Sequence, residues 1–463
     1  MSHRLRTPLL IGAGALMLSW PAFYNGYPLL WFDSCGYLQT GWLTYVSEMR
    51  SPFYGISIAP LLALKSVWPV VLAQAVVSAA MIFLVLRAVC GEPRAVAYLL
   101  ILALLALLTG LSWHNSLIMA DIHASWLPLG MFLLLFARDR LAKWETAFVF
   151  AVTLAASMVH YSHLPLAIAL AIAALAALIF ERRTLRDIMV GIGCCLAIAT
   201  ITMVGHVAMQ LRFHDRVELT SGSQVFLLAR FVEDGVAKNY LEAHCPATPF
   251  ALCAFVDRMP MSINEFLWWK TSPLKGLGGI EGVRDEAAAI VAGSLREQPL
   301  RIAWLSLGHT LDQLTRFSMD PYIQQFDSSD REWKNCAGRV RGLAPLDYAS
   351  YVASRQSNDQ VGLAPIFSLQ LPFIVASAAL LLVLFCASTV LRANPPYCEL
   401  LWLVLLALLA NAFICGGLSG PDDRYESRMI WLLPFLLFTA VMLVRGGRSS
   451  TPHAGAGEAA SAG

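Results

Sequence analysis

Charge is scarce in this 463-residue chain: Asp, Glu, Lys and Arg make up 14% of it, against 57% hydrophobic residues. That proportion, with a mean hydropathy of +0.61 and recurring long apolar runs, excludes an ordinary soluble protein and indicates an integral membrane protein. The net charge of +2 lacks the basic excess of a nucleic-acid binder, so no nucleic-acid partner is expected. Zinc-type spacing is missing among the ten cysteines. The long polar segment 212–365 has neither a nucleotide-binding glycine motif nor a hydrolase nucleophile elbow. No internal symmetry relates two halves of the chain, so the usual mark of a transporter is missing too.

What is present is a series of apolar segments. About ten transmembrane helices are expected, at roughly 9–24, 69–89, 95–111, 124–137, 146–159, 164–180, 188–211, 367–391, 400–415 and 429–444. The basic, apolar N-terminus resembles a signal peptide without a cleavage site and reads as an uncleaved first helix. Arg4, Arg6, Arg87, Arg94, Arg138, Arg140, Lys143, Arg182, Arg183, Arg186, Arg392, Arg445 and Arg448 all fall on one side, which is therefore cytoplasmic. The expected fold is an all-α polytopic membrane protein with interfacial helices and one mostly helical periplasmic domain. Its parts are 1–211 (transmembrane core with the first outer loop), 212–365 (periplasmic domain), 366–447 (C-terminal transmembrane helices) and 448–463 (a disordered tail). Within 212–365, residues 285–295 and 300–317 read as helices.

Polar residues collect on the outer side. Asp33 follows the first helix, set between Trp31-Phe32 and Gly36-Tyr37, a setting that suits a general base; the other reading is a solvated acid in an aromatic belt. Segments 36–46 and 53–65 are too short to span and are expected to lie in the interface. The run WHNSLIMADIHASW places His114, Asp121 and His123 together, as a metal or acid/base cluster, or with Asp121 merely capping the next helix. Residues 146–180 must cross the bilayer twice, and at ~1.5 Å per residue they fall short of two ~30 Å passages. A break at HYSHLP below the outer surface would put His160 and His163 in a sunken cavity. In the last outer loop, Asp422, Asp423, Arg424, Glu426 and Arg428 crowd together. The i,i+4 arginines could clamp a phosphate, or the patch could neutralise itself. Cys245 and Cys253 are close enough in sequence to form a periplasmic disulfide; Cys35 and Cys336 are free or paired.

FDSCGYL with RSPFY, and the closing SGPDDRYESR, complete a layout that resembles the GT-C glycosyltransferases. The resemblance extends over nearly the whole chain as a layout, though several members carry two adjacent acids where this chain has Asp33 alone. It implies a polyprenyl-phosphate-sugar donor, a glycan, lipid or protein acceptor, surrounding membrane lipid, and an active site facing the periplasm of a bacterial inner membrane. Asp33 would be the base, with Asp121 the next catalytic candidate. Candidates for substrate binding are Arg50, Tyr54, His114, His123, His160, His163, Asp423, Arg424, Glu426 and Arg428. A divalent cation is an open requirement. A lipid-glycan ligase or polymerase shares the layout and substrate, and a transporter would also gather charge beside a cavity.

Overall fold

The computed structural model describes residues 3–448, except 44, 45, 48, 182, 221, 246, 321, 322, 324, 325, 327 and 330. The segment expected to be a disordered tail thus lies, from residue 449 on, outside the described residues. The chain is all-helical, and among the described residues no strand forms. A lone parallel bridge between Leu29 and Leu117 ties the first loop to the segment ahead of Asp121.

Among the described residues, six helices are long and apolar enough to cross a membrane: Trp68–Cys90, His163–Phe180, Leu185–His214, Ala364–Ala387, Pro395–Gly417 and Asp423–Gly446. Away from their ends these sequences are mostly apolar on all faces, so burial against protein cannot satisfy every side. Leu196 and Val204 stay 61% exposed, and Leu382 and Val383 64%. Aliphatic side chains presented in this way suit a lipid-facing surface and would be a liability in water. Shorter helices, Ala95–Leu108, Ile122–Leu135 and Lys143–Met158, occupy three further expected segments. The first expected helix is broken: His3–Leu18 ends before Ser19, and Pro21 opens a second short helix, Trp20–Asn25.

Ile122–Leu135 is the hub, buried along its entire length. It packs against Lys143–Met158, Trp68–Cys90, His163–Phe180 and Pro395–Ala412. Gly130 permits the closest of these approaches, since a Cβ there would overlap the Thr153 hydroxyl. With both flanks covered, the N-terminus of this helix is held in place, and Asp121 stands at that end.

Segment 212–365 divides between two cores. Val225 to Ile302 supply one of their own, built from helices including Ser223–Glu233 and Gly279–Glu297. Met319 to Val361 instead join Tyr27, Leu30, Tyr37, Trp113 and Ile118. The expected helices at 285–295 and 300–317 lie within Gly279–Glu297 and along Pro299–Thr315. Ser34–Thr40 and Phe53–Leu62 fall in the two short segments of the first loop. A disulfide between Cys35 and Cys336 joins the Ser34–Thr40 helix to Arg331–Leu343. Gln356 adds hydrogen bonds to both Leu30 N and Leu30 O, at 3.0 and 2.9 Å. These links fix the first loop from outside while the hub fixes Asp121 from inside.

Candidate functional site

Asp33 occupies the N-cap position of Ser34–Thr40, and Asp121 that of Ile122–Leu135, yet neither side chain makes a capping hydrogen bond. The carboxylates are used elsewhere. Arg50 forms an ion pair with Asp33. Arg424 donates Nη1 to Asp33 at 3.1 Å and, through Nε and Nη2, forms a two-pronged contact with Asp121 at 2.9 and 3.1 Å. Arg428 adds Nη1 to Asp121 at 3.4 Å. One guanidinium therefore bridges two acids, and each acid has a second arginine behind it.

The loop before the final helix supplies this geometry locally. Asp422 accepts from the Arg424 N–H at 2.9 Å and starts a one-turn helix, Asp423–Ser427. The turn carries Arg424 and Arg428 to the same side, as the i,i+4 spacing requires. Asp121 as a simple cap and the loop as a self-neutralised patch are both corrected by this arrangement. A flexible carboxylate gains more from a guanidinium fork than from one N–H. Arg428 is fully buried, and its Nη2 is held by Asn411 Oδ1 at 2.8 Å and by the Cys415 thiol at 3.2 Å.

Burial alone would raise the proton affinity of Asp33, but Arg50 and Arg424 more than offset it, so its pKa lies below the ordinary carboxylate value. Asp121 is likewise raised by burial and lowered much further by Arg424 and Arg428. Both acids are ionised at neutral pH. Burial lowers His114 to about 4, and burial with Arg428 and Arg424 lowers His160 to about 3. These rings are neutral hydrogen-bonding groups at neutral pH rather than cations.

The other candidates separate into near and far. His114 Nε2 meets Ser427 Oγ at 3.0 Å, and His160 Nδ1 meets Ser162 Oγ at 2.8 Å. His163, fully buried, directs Nδ1 at the Ala156 carbonyl (2.8 Å), and its ring centre lies 5.1 Å from that of His160. Among the described residues, His163 Nε2, Arg428 Nε and Glu426 Oε1 have no hydrogen-bond partner. Glu426 Oε2 accepts from Asn411 at 3.0 Å. Tyr54 gives its hydroxyl to Gln74 at 2.7 Å and packs edge-on against Tyr37 and His123, so it backs the site. Asp423 faces away, accepting from the Ser318 N–H at 2.7 Å.

Among the described residues no group of three or more His, Cys, Asp or Glu side chains could hold a metal ion. The cluster of His114, Asp121 and His123 expected from sequence is thus no metal site: guanidinia occupy Asp121, and His123 lies against Tyr54 and Trp126. Sequence reasoning missed Asn411 and Gln74, although a single amide inside an apolar run was a usable signal. Cys245 and Cys253 are bonded as expected, and Cys35 is paired with Cys336.

No protein-family model matches this chain, and neither curated proteins nor solved structures yield a match from which a family could be read.

Proposed function

We propose that this chain is a GT-C-type membrane glycosyltransferase. It moves a sugar from a polyprenyl-phosphate donor to a glycan, lipid or protein acceptor on the non-cytoplasmic face of a bacterial inner membrane. In this reading the ten apolar segments span and segment 212–365 is periplasmic. The observation that carries it is the Arg424 bridge between Asp33 and Asp121, flanked by Arg50 and Arg428. Three guanidinia face two carboxylates, which leaves one positive charge to receive the single negative charge of a phosphodiester.

In the transfer the acceptor oxygen bonds to the anomeric carbon, the bond from that carbon to the phosphate oxygen breaks, and the phosphate leaves with the electron pair. Asp33 takes the acceptor proton. While Arg50 and Arg424 both hold it, Asp33 is a weak base. A donor phosphate competes for these guanidinia, which raises the proton affinity of Asp33 as the substrate arrives. Arg424 and Arg428 then neutralise charge developing on the leaving group. Asp121, fully buried, keeps both arginines oriented.

The test uses purified protein, a polyprenyl-phosphate-sugar pool and envelope extract as acceptor. Asp33→Asn keeps the shape but removes the base, so transfer should fall at least ~100-fold. Near-wild-type transfer by that variant rejects Asp33 as base, and no transfer by the wild type rejects the enzyme class.

A further inference from the structure

A cavity of about 270 Å³ opens between the Ser34–Thr40 and Arg331–Leu343 helices, lined by Gln39, Trp42, Arg339, Gly342 and Leu343. None of these residues takes part in the arginine–carboxylate site. The walls are covalently joined, because the Cys35–Cys336 disulfide connects the same two helices. Gln39 stands one turn beyond Cys35, and Arg339 nearly one turn beyond Cys336, so both walls continue away from the bond along one helix face. Asp33 lies two residues before Cys35, which puts the cleft on the helix that the catalytic acid begins.

The lining specifies a ligand class. Trp42, 44% exposed, offers an aromatic face suited to the C–H face of a pyranose. Gln39 brings an amide, and Arg339, half-buried, has no ion pair among the described residues. A guanidinium in a cleft, paired with no carboxylate among the described residues, calls for an anion. The same helix exposes Arg331, Lys334 and Arg341 on its outer face, while Cys336, Ala337 and Val340 face inward. A cleft with one aromatic wall and one arginine favours a negatively charged sugar over a neutral one.

We infer that this cleft binds an anionic saccharide, carrying a carboxylate or a phosphate on the sugar, as the acceptor end of the transfer. The role as acceptor rests on the transferase reading; the binding does not. Arg339 pairs with the saccharide's anion, and Trp42 stacks on the ring. The disulfide holds the cleft at a fixed distance from Asp33.

Purified full-length protein is titrated by calorimetry with digalacturonate and with glucose 6-phosphate, with digalactose as the neutral control. Either anionic probe should bind and the neutral one should bind at least about tenfold more weakly. Arg339→Gln and Trp42→Ala, both at accessible positions, should each weaken binding about tenfold. The inference fails if neither anionic probe binds, or if anionic lipid in nanodiscs is held through Arg339 while both probes are ignored. It also fails if Arg339→Gln weakens binding but Trp42→Ala does not, since that is a charge contact with no sugar recognition. Binding without any transfer activity defeats the enzyme reading and leaves the cleft standing. Transfer with binding and acceptor KM unchanged in Arg339→Gln defeats the cleft and leaves the enzyme standing.

Discussion

Replacing Asp121 with Asn separates the two acids by the depth at which each sits. Asp121 and Arg428 are both 0% exposed, and Arg424 is 11% exposed. The substitution leaves Arg428 fully buried with, among the described residues, the neutral hydrogen-bond partners Asn411, Cys415 and Ser162, none of which balances its charge. Breaking a buried pair from one side costs about 3–5 kcal/mol, most of it the desolvated charge left behind. Asp33 differs: its side chain is 19% exposed and that of Arg50 30%. Water can solvate what Asp33→Asn releases, and Arg424 keeps Asp121, so the loss should be about 1 kcal/mol or less. Thermal unfolding of the two variants in the same detergent should show Asp121→Asn melting several degrees below Asp33→Asn, with the latter near wild type. Adding Arg428→Gln to Asp121→Asn removes the stranded charge and should recover part of the loss, a coupling of about 1–3 kcal/mol. Equal melting of the two single variants, or no recovery in the double variant, would refute the reasoning.

Arg424→Lys keeps the charge but cannot hold two acids with one planar fork, so KM for the lipid-phosphate donor should rise about tenfold with little change for the acceptor; steady-state transfer assays decide it. Cys336→Ser frees the Ser34–Thr40 helix from its outer anchor, so transfer should fall while the Cys245–Cys253 bond still resists alkylation in a thiol-trapping assay. His114 titrates near 4 in the folded chain against 6.5 ordinarily, so between those values the unfolded chain binds the proton first. Stability should therefore decline as pH falls from 6.5 toward 4. His114→Gln should make that part of a melting-temperature profile less steep, with His160 contributing to the slope that remains.

The helices were legible because their segments are apolar on every face, a signal that needs no partner to be read. Each expected segment after the first coincides with a helix; Pro21 and Ser19 break the first where hydropathy alone runs on. Asp33, Asp121, Arg424 and Arg428 were legible as charges in places that avoid charge. Their pairing was not, because local spacing suggested nearer partners: the following helix for Asp121, and Asp422, Asp423 and Glu426 for the arginines. Periodicity also reveals which face of a helix is apolar without revealing what covers it. Segment 212–365 looked like one body for that reason, although its later part belongs with Tyr27 and Leu30.

The Asp121–Arg424 contact spans 303 residues of sequence, and Asp33–Arg424 spans 391. During synthesis Asp121 leaves the ribosome long before the cations that will neutralise it exist. At ~5–20 residues per second, roughly 15–60 seconds pass between them. Over that interval the nascent chain must leave Asp121 protonated, hydrated or held by a chaperone, and the hub helix cannot settle fully into its neighbours. The loop that carries Arg424 and Arg428 is thus what closes the structure, and a ribosome that stops before it delivers a chain with a lone acid at its centre. Quality-control proteases that inspect membrane proteins for unpaired charge would have a direct way to recognise that product.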